Sequence, residues 1–372
     1  MERKNYEQIL ALRHELHAHP ELSNQERWTK ARLMAFLREH TLLEVHDGGK
    51  WFWAAYRAGE EKKNLAFRAD FDALPIEELC DVPYKSRIPG VSHKCGHDGH
   101  AASLCGLALE LETMRPDKNV FLLFQHAEET GDGAYEARSF IPDNRINEIY
   151  AYHNLTGAPK GTVVVRHGTS NCASKGMTIE MHGTPTHASL PELGKNPAFA
   201  LAHITCAIPE LIAPGRYTGM VLCTVIQLDV GEHAFGTAAS SGRLLVTIRG
   251  EHEQEMDALR ADLERLSRAQ AEKYGLSCAF TIEDAFPETV NDSGCVDRVF
   301  AAANALGYPV LEQPEASRGS EDFGHYQKRT SGALFFIGGG EDVPSFHTAA
   351  YDFTDEIMEN AIEMFKKIIE LS

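Results

Sequence analysis

The sequence predicts an α/β protein: a mixed-sheet domain with helices on both faces, interrupted by an inserted, ferredoxin-like α+β domain. Three observations predict it. At 372 residues the chain exceeds the length at which single hydrophobic cores stop growing. Its first part alternates amphipathic helical stretches with apolar runs that end in charged residues. From Ala173 the texture changes to the order β-α-β-β-α-β, that of a ferredoxin-like unit, and α/β texture returns after Pro287.

Residues 1–40 carry two amphipathic helices, one with Ile9, Leu12 and Leu16 on a face, the next with Trp28, Ala31 and Leu37. WFWAAYR (51–57) and LAFRAD (65–70) read as strands, the second closing on a charged cluster. A helix spans about His100 to Met114. VFLLFQHAEE then runs almost unbroken into carboxylates, which suits a strand buried on both faces of a sheet, and IYAYHN (149–154) repeats the theme. Further on, GMTIEMH, MVLCTVIQLDV, RLLVTIRG and LSCAFTIED are strands, with helices over 196–212 and 251–274. A helix near 294–306, the strand ALFFIGG and a closing helix from Asp355 complete the chain. The expected domains are residues 1–172 with 285–372, and an insertion over 173–284.

Hydrophobic content of 43% with 24% charge is that of a folded globular chain. The net charge of −18 disfavours nucleic acid and anionic membranes, which would repel the protein before any local contact formed, and leaves small molecules or other proteins as partners. With no apolar signal region and no run of about 18 apolar residues, the expectation is a cytoplasmic protein. Eight cysteines lack any C-x-x-C or dense framework. Most are expected to be small buried thiols, Cys95 excepted.

Ligand sites in open α/β sheets gather outside the carboxyl ends of strands, and the reactive residues gather there too. Asp70 and Asp72 follow a strand; Cys95, His97, Asp98 and His100 crowd a glycine-punctuated loop; Glu128 and Glu129 end a strand; His153 ends another and His347 follows the last. Thiolate, imidazole and carboxylate are all ligands of first-row metals. Taken singly, such residues are more often hydrogen-bonded or solvated; HKCGHDGH, dense in donors and in glycines that permit close approach, reads as a metal segment. Of the two glutamates, one can ligate while the other takes a proton from water acidified by the ion and later delivers it to the leaving nitrogen of an amide. Spacing alone leaves open which does which. Neither G-x-S-x-G, G-x-G-x-x-G, the P-loop pattern nor the zinc deaminase signature is present.

The segments LRHELHAHPELSNQE, AFRADFDALPIEE, HKCGHDGHAA, FQHAEETGDGA, AYHN, HGTPTHAS, GSEDF and FHTAAYDF together resemble, in order and across the chain, one family. It is the amidohydrolase subfamily of metal-dependent aminoacylases and carboxypeptidases that includes hippurate hydrolases and plant indoleacetyl-amino-acid hydrolases. The resemblance implies a catalytic domain with an inserted lid that makes a homodimer, one or two divalent ions (Zn, Mn, Co or Ni), and hydrolysis of an N-acyl amino acid or short peptide. It further implies that Cys95, His97, Glu129, His153 and His347 are the metal ligands, that Glu128 is the general base, that Asp70 orients a ligand, and that His187 steadies the oxyanion. Five protein donors suit two ions only with a bridging group, such as Cys95 or a water. A dipeptidase or carboxypeptidase of the same chemistry is the nearer alternative, and a non-catalytic binding paralogue the other.

One departure stands out. Where the family carries F-N-x-I-P-D, this chain has AFGTAASSGRL, so Gly236 replaces an asparagine; Arg249 and His233 are the neighbours that could substitute for it. His14, His17 and His19 fall at mixed helical spacings before Pro20 and are assigned structural roles.

Overall fold

Every residue of Asn119–Gln125 is buried, as a run of NVFLLFQ requires when both faces of its sheet are covered. The computed structural model describes residues 1–372 and divides into two units, the first comprising Met1–Ser170, Thr289–Ala316 and Glu321–Ser372. Its eight-stranded sheet contains β1 (Glu44–Asp47), β2 (Phe52–Tyr56), β3 (Asn64–Asp70), β4 (Asn119–Gln125), β5 (Glu148–Thr156), β6 (Val163–Val165), β7 (Val310–Glu312) and β8 (Ser331–Gly340). They lie in the order β1-β2-β4-β3-β5-β8-β6-β7. The four central strands β4, β3, β5 and β8 are mutually parallel, so their carboxyl ends open on one edge. The short strands β1, β6 and β7 escaped the sequence reading, because three or four residues show no period.

Leu65 and Phe67 of β3, with Leu122 and Phe124 of β4, face a core shared with α1 (Arg3–Ala18), α2 (Arg27–His40), α3 (His97–Met114), α4 (Ser293–Leu306) and α5 (Ile357–Leu371). Ala66, Phe121 and Leu123 face the other way and pack with Trp51, Phe140 and Tyr326. That second face carries only the short helices Gly133–Ala137, Phe140–Asp143 and Gly324–Gln327. Helices thus cover both faces, the long ones on one side.

The helix expected from about His100 begins at His97 instead. Gly96 holds φ +99°, and a Cβ there would meet Asn154 Oδ1 at 2.6 Å, so the chain turns where only glycine fits. His97, Asp98 and His100 therefore sit in the first turn of α3, which is buried over most of its length, and not in a preceding loop.

The second unit comprises Asn171–Glu288 and Ser317–Ser320. Its four antiparallel strands lie in the order Val221–Val230, Ser241–Gly250, Ala173–His182, Ser277–Phe286. Helices Ala198–Leu211 and Glu253–Tyr274 pack Leu201, Met256 and Leu263 with Ile179 and Leu244 of the sheet. This is the ferredoxin-like arrangement. Cysteine burial departs from expectation: Cys95, Cys105, Cys172 and Cys295 are buried, Cys80, Cys223 and Cys278 are half-buried, and Cys206 is exposed. No helix is long and apolar enough to cross a membrane.

Candidate metal centre

Asp70 and Gln125 are register partners at the ends of β3 and β4, so the residues that follow both strands emerge side by side. After Gln125 the chain turns through Ala127, held at φ +47°, and presents Glu128 and Glu129. His153 lies near the end of β5, and Cys95 precedes the Gly96 turn into α3. His347 follows β8 in a left-handed conformation, φ +58°, with its N–H donating to Lys94 O at 2.8 Å.

These elements bring the five expected ligands together. Cys95 Sγ is 3.4 Å from His153 Nε2, His347 Nε2 is 3.4 Å from Glu129 Oε2, and His97 Nε2 is 3.8 Å from Glu129 Oε1. Cys95 belongs both to a group with His97 and His153 and to one with Glu129 and His347. His97 Nε2 and Glu129 Oε1 are buried and have no hydrogen-bond partner. A buried polar atom without a partner is costly, so two facing each other mark a place for a cation. Ligand bonds of roughly 2.0–2.3 Å in a tetrahedral shell bring donors to about 3.3–3.7 Å from one another. The side chains thus need little rearrangement to hold a metal.

The outer contacts orient these donors. His97 Nδ1–H donates to Asp72 Oδ1 at 3.0 Å, leaving Nε2 free to ligate, and Asp72 Oδ2 accepts the Glu129 N–H at 3.0 Å and the Ser23 hydroxyl at 2.7 Å. His153 Nδ1–H donates to Asn154 O at 2.7 Å, and burial keeps its imidazole neutral, well below the usual range. Asp70 lies 3.9 Å from His97 Nε2, but its carboxylate accepts hydrogen bonds from His100 Nδ1 and Arg68 Nη1, both at 2.6 Å. Burial opposes its charge, yet His97, Arg68 and His100 hold its carboxyl well below the usual range.

Glu128 is 6% exposed, and its Oε2 is 3.9 Å from His97 Nε2. Burial, then the carboxylates of Glu321, Glu129 and Asp322, push its pKa well above the ordinary range. A carboxylate so destabilised is a stronger base than one in water. Arg68, 1% exposed, pairs with Asp70, Glu321 and Asp322 and keeps this acidic cluster together.

Arg68, Glu321 and Asp322 escaped the sequence reading, their signal lying in the motifs AFRADFDALP and GSEDF, while Asp72, expected as a possible donor, instead accepts from His97 and from the Glu129 N–H. His17 is fully buried between Glu78 and Asp98. His14 pairs with Asp355, and His19 bonds Glu15 O. In the second unit, His187 lies on the two-residue strand Thr186–His187, paired with Thr237–Ala238, and its Nδ1 is 2.7 Å from Ser189 Oγ. Arg249 donates to Arg318 O and Ser320 Oγ, while His233 stacks edge-on against Phe235.

Thiol, imidazole and carboxylate donors, buried or half-buried except for the exposed His347, converge beside the buried Glu128 at the carboxyl ends of parallel strands, a set that fits a metal-dependent hydrolase. The chain belongs to peptidase family M20/M25/M40, whose model matches residues 66–371, and is a metal-dependent amidohydrolase or peptidase of that family. It is 28% identical over 367 residues to the N-acetylcysteine deacetylase of Bacillus subtilis, covering 97% of this chain and 95% of that protein. Among solved structures, the Bacillus subtilis YXEP protein, a dinuclear metal-binding peptidase of the M20 family, superposes with a TM-score of 0.85 at 26% identity, over 100% of this chain and 99% of that one. A structure from methicillin-resistant Staphylococcus aureus reaches a TM-score of 0.91 at 24% identity, over 99% and 96% of the two chains, a likeness of fold.

Proposed function

We propose that the protein hydrolyses the amide bond of N-acyl amino acids or short peptides, with Cys95, His97, Glu129, His153 and His347 as metal ligands and Glu128 as general base. The observation that carries this is the pair of unpartnered buried atoms, His97 Nε2 and Glu129 Oε1, with Glu128 beside them. Cys95, common to both donor groups, is the candidate bridge between two ions. When bound, one or two divalent ions (Zn, Mn, Co or Ni) supply Lewis acidity toward the scissile carbonyl and acidify water.

The Glu128 carboxylate then accepts the proton of the attacking water and passes it to the departing nitrogen. Its burial among other carboxylates supports that role, because both transfers need a group that binds a proton readily near neutral pH. Asp72 fixes the tautomer of His97, and Asp70 steadies His100 and Arg68 behind it. We assign His187 to the oxyanion, from the same chain or a second copy, and the second unit to the roles of lid and dimer contact. The deacetylase relative supports an acyl amino acid as substrate.

The test is to measure metal per chain and turnover of a panel of N-acyl amino acids and free dipeptides, for the wild type and for Glu128→Ala at equal metal content. Turnover by the wild type and a loss of about 10²–10⁴ in the variant is expected. A metal-loaded variant as active as the wild type would refute the base assignment.

A further inference from the structure

The segment ELSNQE, residues 21–26, takes no part in the reaction as described, yet it touches the site at two points. Ser23 Oγ donates at 2.7 Å to Asp72 Oδ2, the oxygen that also accepts the Glu129 N–H. Glu26, 6% exposed, accepts the Ala127 N–H at 2.8 Å. Ala127 is the fully buried residue immediately before Glu128, and its φ of +47° is one that side-chain-bearing residues avoid. A backbone in that region persists only where its surroundings hold it.

The segment is itself rigid. The Glu21 carboxylate accepts the N–H groups of Trp28 and Thr29 in the first turn of α2, at 3.1 and 2.8 Å. Its carbonyl accepts the Ala73 N–H at 2.9 Å, and Leu22 forms a parallel bridge with Ala73 just beyond Asp72. Gln25 N–H closes a turn onto Leu22 O at 2.8 Å. Ser23 and Glu26 therefore project from a fixed loop whose hydrogen bonds end on either side of Glu128, at Ala127 N and, through Asp72, at Glu129 N.

We infer that Ser23 and Glu26 are positioning residues that brace the Ala127–Glu128–Glu129 turn, Ser23 setting the metal ligands through Asp72 and Glu26 holding Ala127 in its left-handed conformation. This rests on the assignments of Glu128 and Glu129 proposed above. A brace of this kind acts on metal affinity and on kcat, whereas a merely structural contact acts on stability alone.

The test uses the full chain and Zn²⁺ as probe, with affinity read by competition against a chromophoric chelator, kcat and KM on a turned-over N-acyl amino acid, and melting temperature. Ser23→Ala is expected to weaken Zn²⁺ binding by about 10-fold, and Ser23→Thr, which keeps the hydroxyl, to restore most of it. Glu26→Ala is expected to lower kcat by about 10-fold with KM nearly unchanged. Glu26→Gln keeps an acceptor for Ala127 N–H and should stay within about twofold of the wild type. Ala127→Gly, which lets the turn adopt positive φ without a Cβ, should recover part of the loss in the Glu26→Ala background.

The inference is overturned if Ser23→Ala and Glu26→Ala lower only the melting temperature, or if Glu26→Gln is as impaired as Glu26→Ala. Should Glu26→Ala fail to fold, Ser23→Ala decides alone, since it deletes a single oxygen. Should Glu128→Ala remain active, the base assignment falls, and the Zn²⁺ affinity of Ser23→Ala still judges the brace.

Discussion

His97 Nδ1 lies 3.0 Å from Asp72 Oδ1, and the other oxygen of the same carboxylate accepts the Glu129 N–H at 3.0 Å. One buried side chain thereby orients a histidine ring and the backbone of a glutamate that come from different elements. Asp72→Ala is expected to weaken divalent-metal affinity by about 10- to 100-fold, measured by chelator competition. An unchanged affinity in a folded variant would remove His97 from the proposed ligand set.

How much of this was legible beforehand differs by residue. The donors at strand ends could be read because each closes an apolar run, as VFLLFQ closes on His126, Ala127 and the two glutamates. The contrast between Asp70 and Asp72 could not. Two carboxylates at i and i+2 leave a strand in the same direction, and only the first turn of α3, placed by Gly96, decides that His97 meets Asp72 while His100 meets Asp70. Arg68 reads as one more residue of a strand, since its partner Asp322 lies 254 positions away. The mixed sheet and the ferredoxin-like strand order were legible from periodicity, because long strands and helices declare their period, whereas the three short strands β1, β6 and β7 do not.

Removing Arg68 should expose how much of the site is held by charge. Its guanidinium donates to Asp70 Oδ2 at 2.6 Å, Asp322 Oδ1 at 2.8 Å and Gln125 Oε1 at 2.8 Å, and lies 3.2 Å from Glu321. Arg68→Met leaves three buried carboxylates uncompensated, a change expected to cost about 3–5 kcal/mol in urea unfolding. Arg68→Lys should recover little, because one ammonium cannot reproduce a planar fork serving several acceptors. A full recovery by Lys would show that charge alone matters there.

Glu26 makes stability depend on pH. Burial, with Asp72 beside it, raises its carboxyl from 4.5 to about 7. Between those values the folded chain binds more protons at this position than the unfolded chain, so stability is fully present below pH 4.5 and falls as pH rises through 7. At about 1.4 kcal/mol per pH unit, ionisation costs the fold up to about 3 kcal/mol. Glu26→Gln is therefore expected to be the more stable protein at pH 8 and to converge with the wild type near pH 4.5, by chemical denaturation at both pH values. A constant difference across that range would mean that Glu26 titrates normally.

Gly236 offers a direct test of substrate choice. A Cβ at this position meets nothing within 4 Å, and the residue's carbonyl already accepts the Ala188 N–H at 3.0 Å beside His187. Gly236→Asn should therefore leave stability within about 0.5 kcal/mol of the wild type. A side-chain amide that regains a hydrogen bond to bound substrate is worth about 1 kcal/mol or more. The variant is accordingly expected to lower KM for N-acyl amino acids by about 5- to 10-fold, with kcat little changed, because such a contact forms in the ground state and the transition state alike. If instead KM rises while stability holds, the space left by glycine is used by the substrate itself, and the protein prefers an acyl group bulkier than an asparagine would admit.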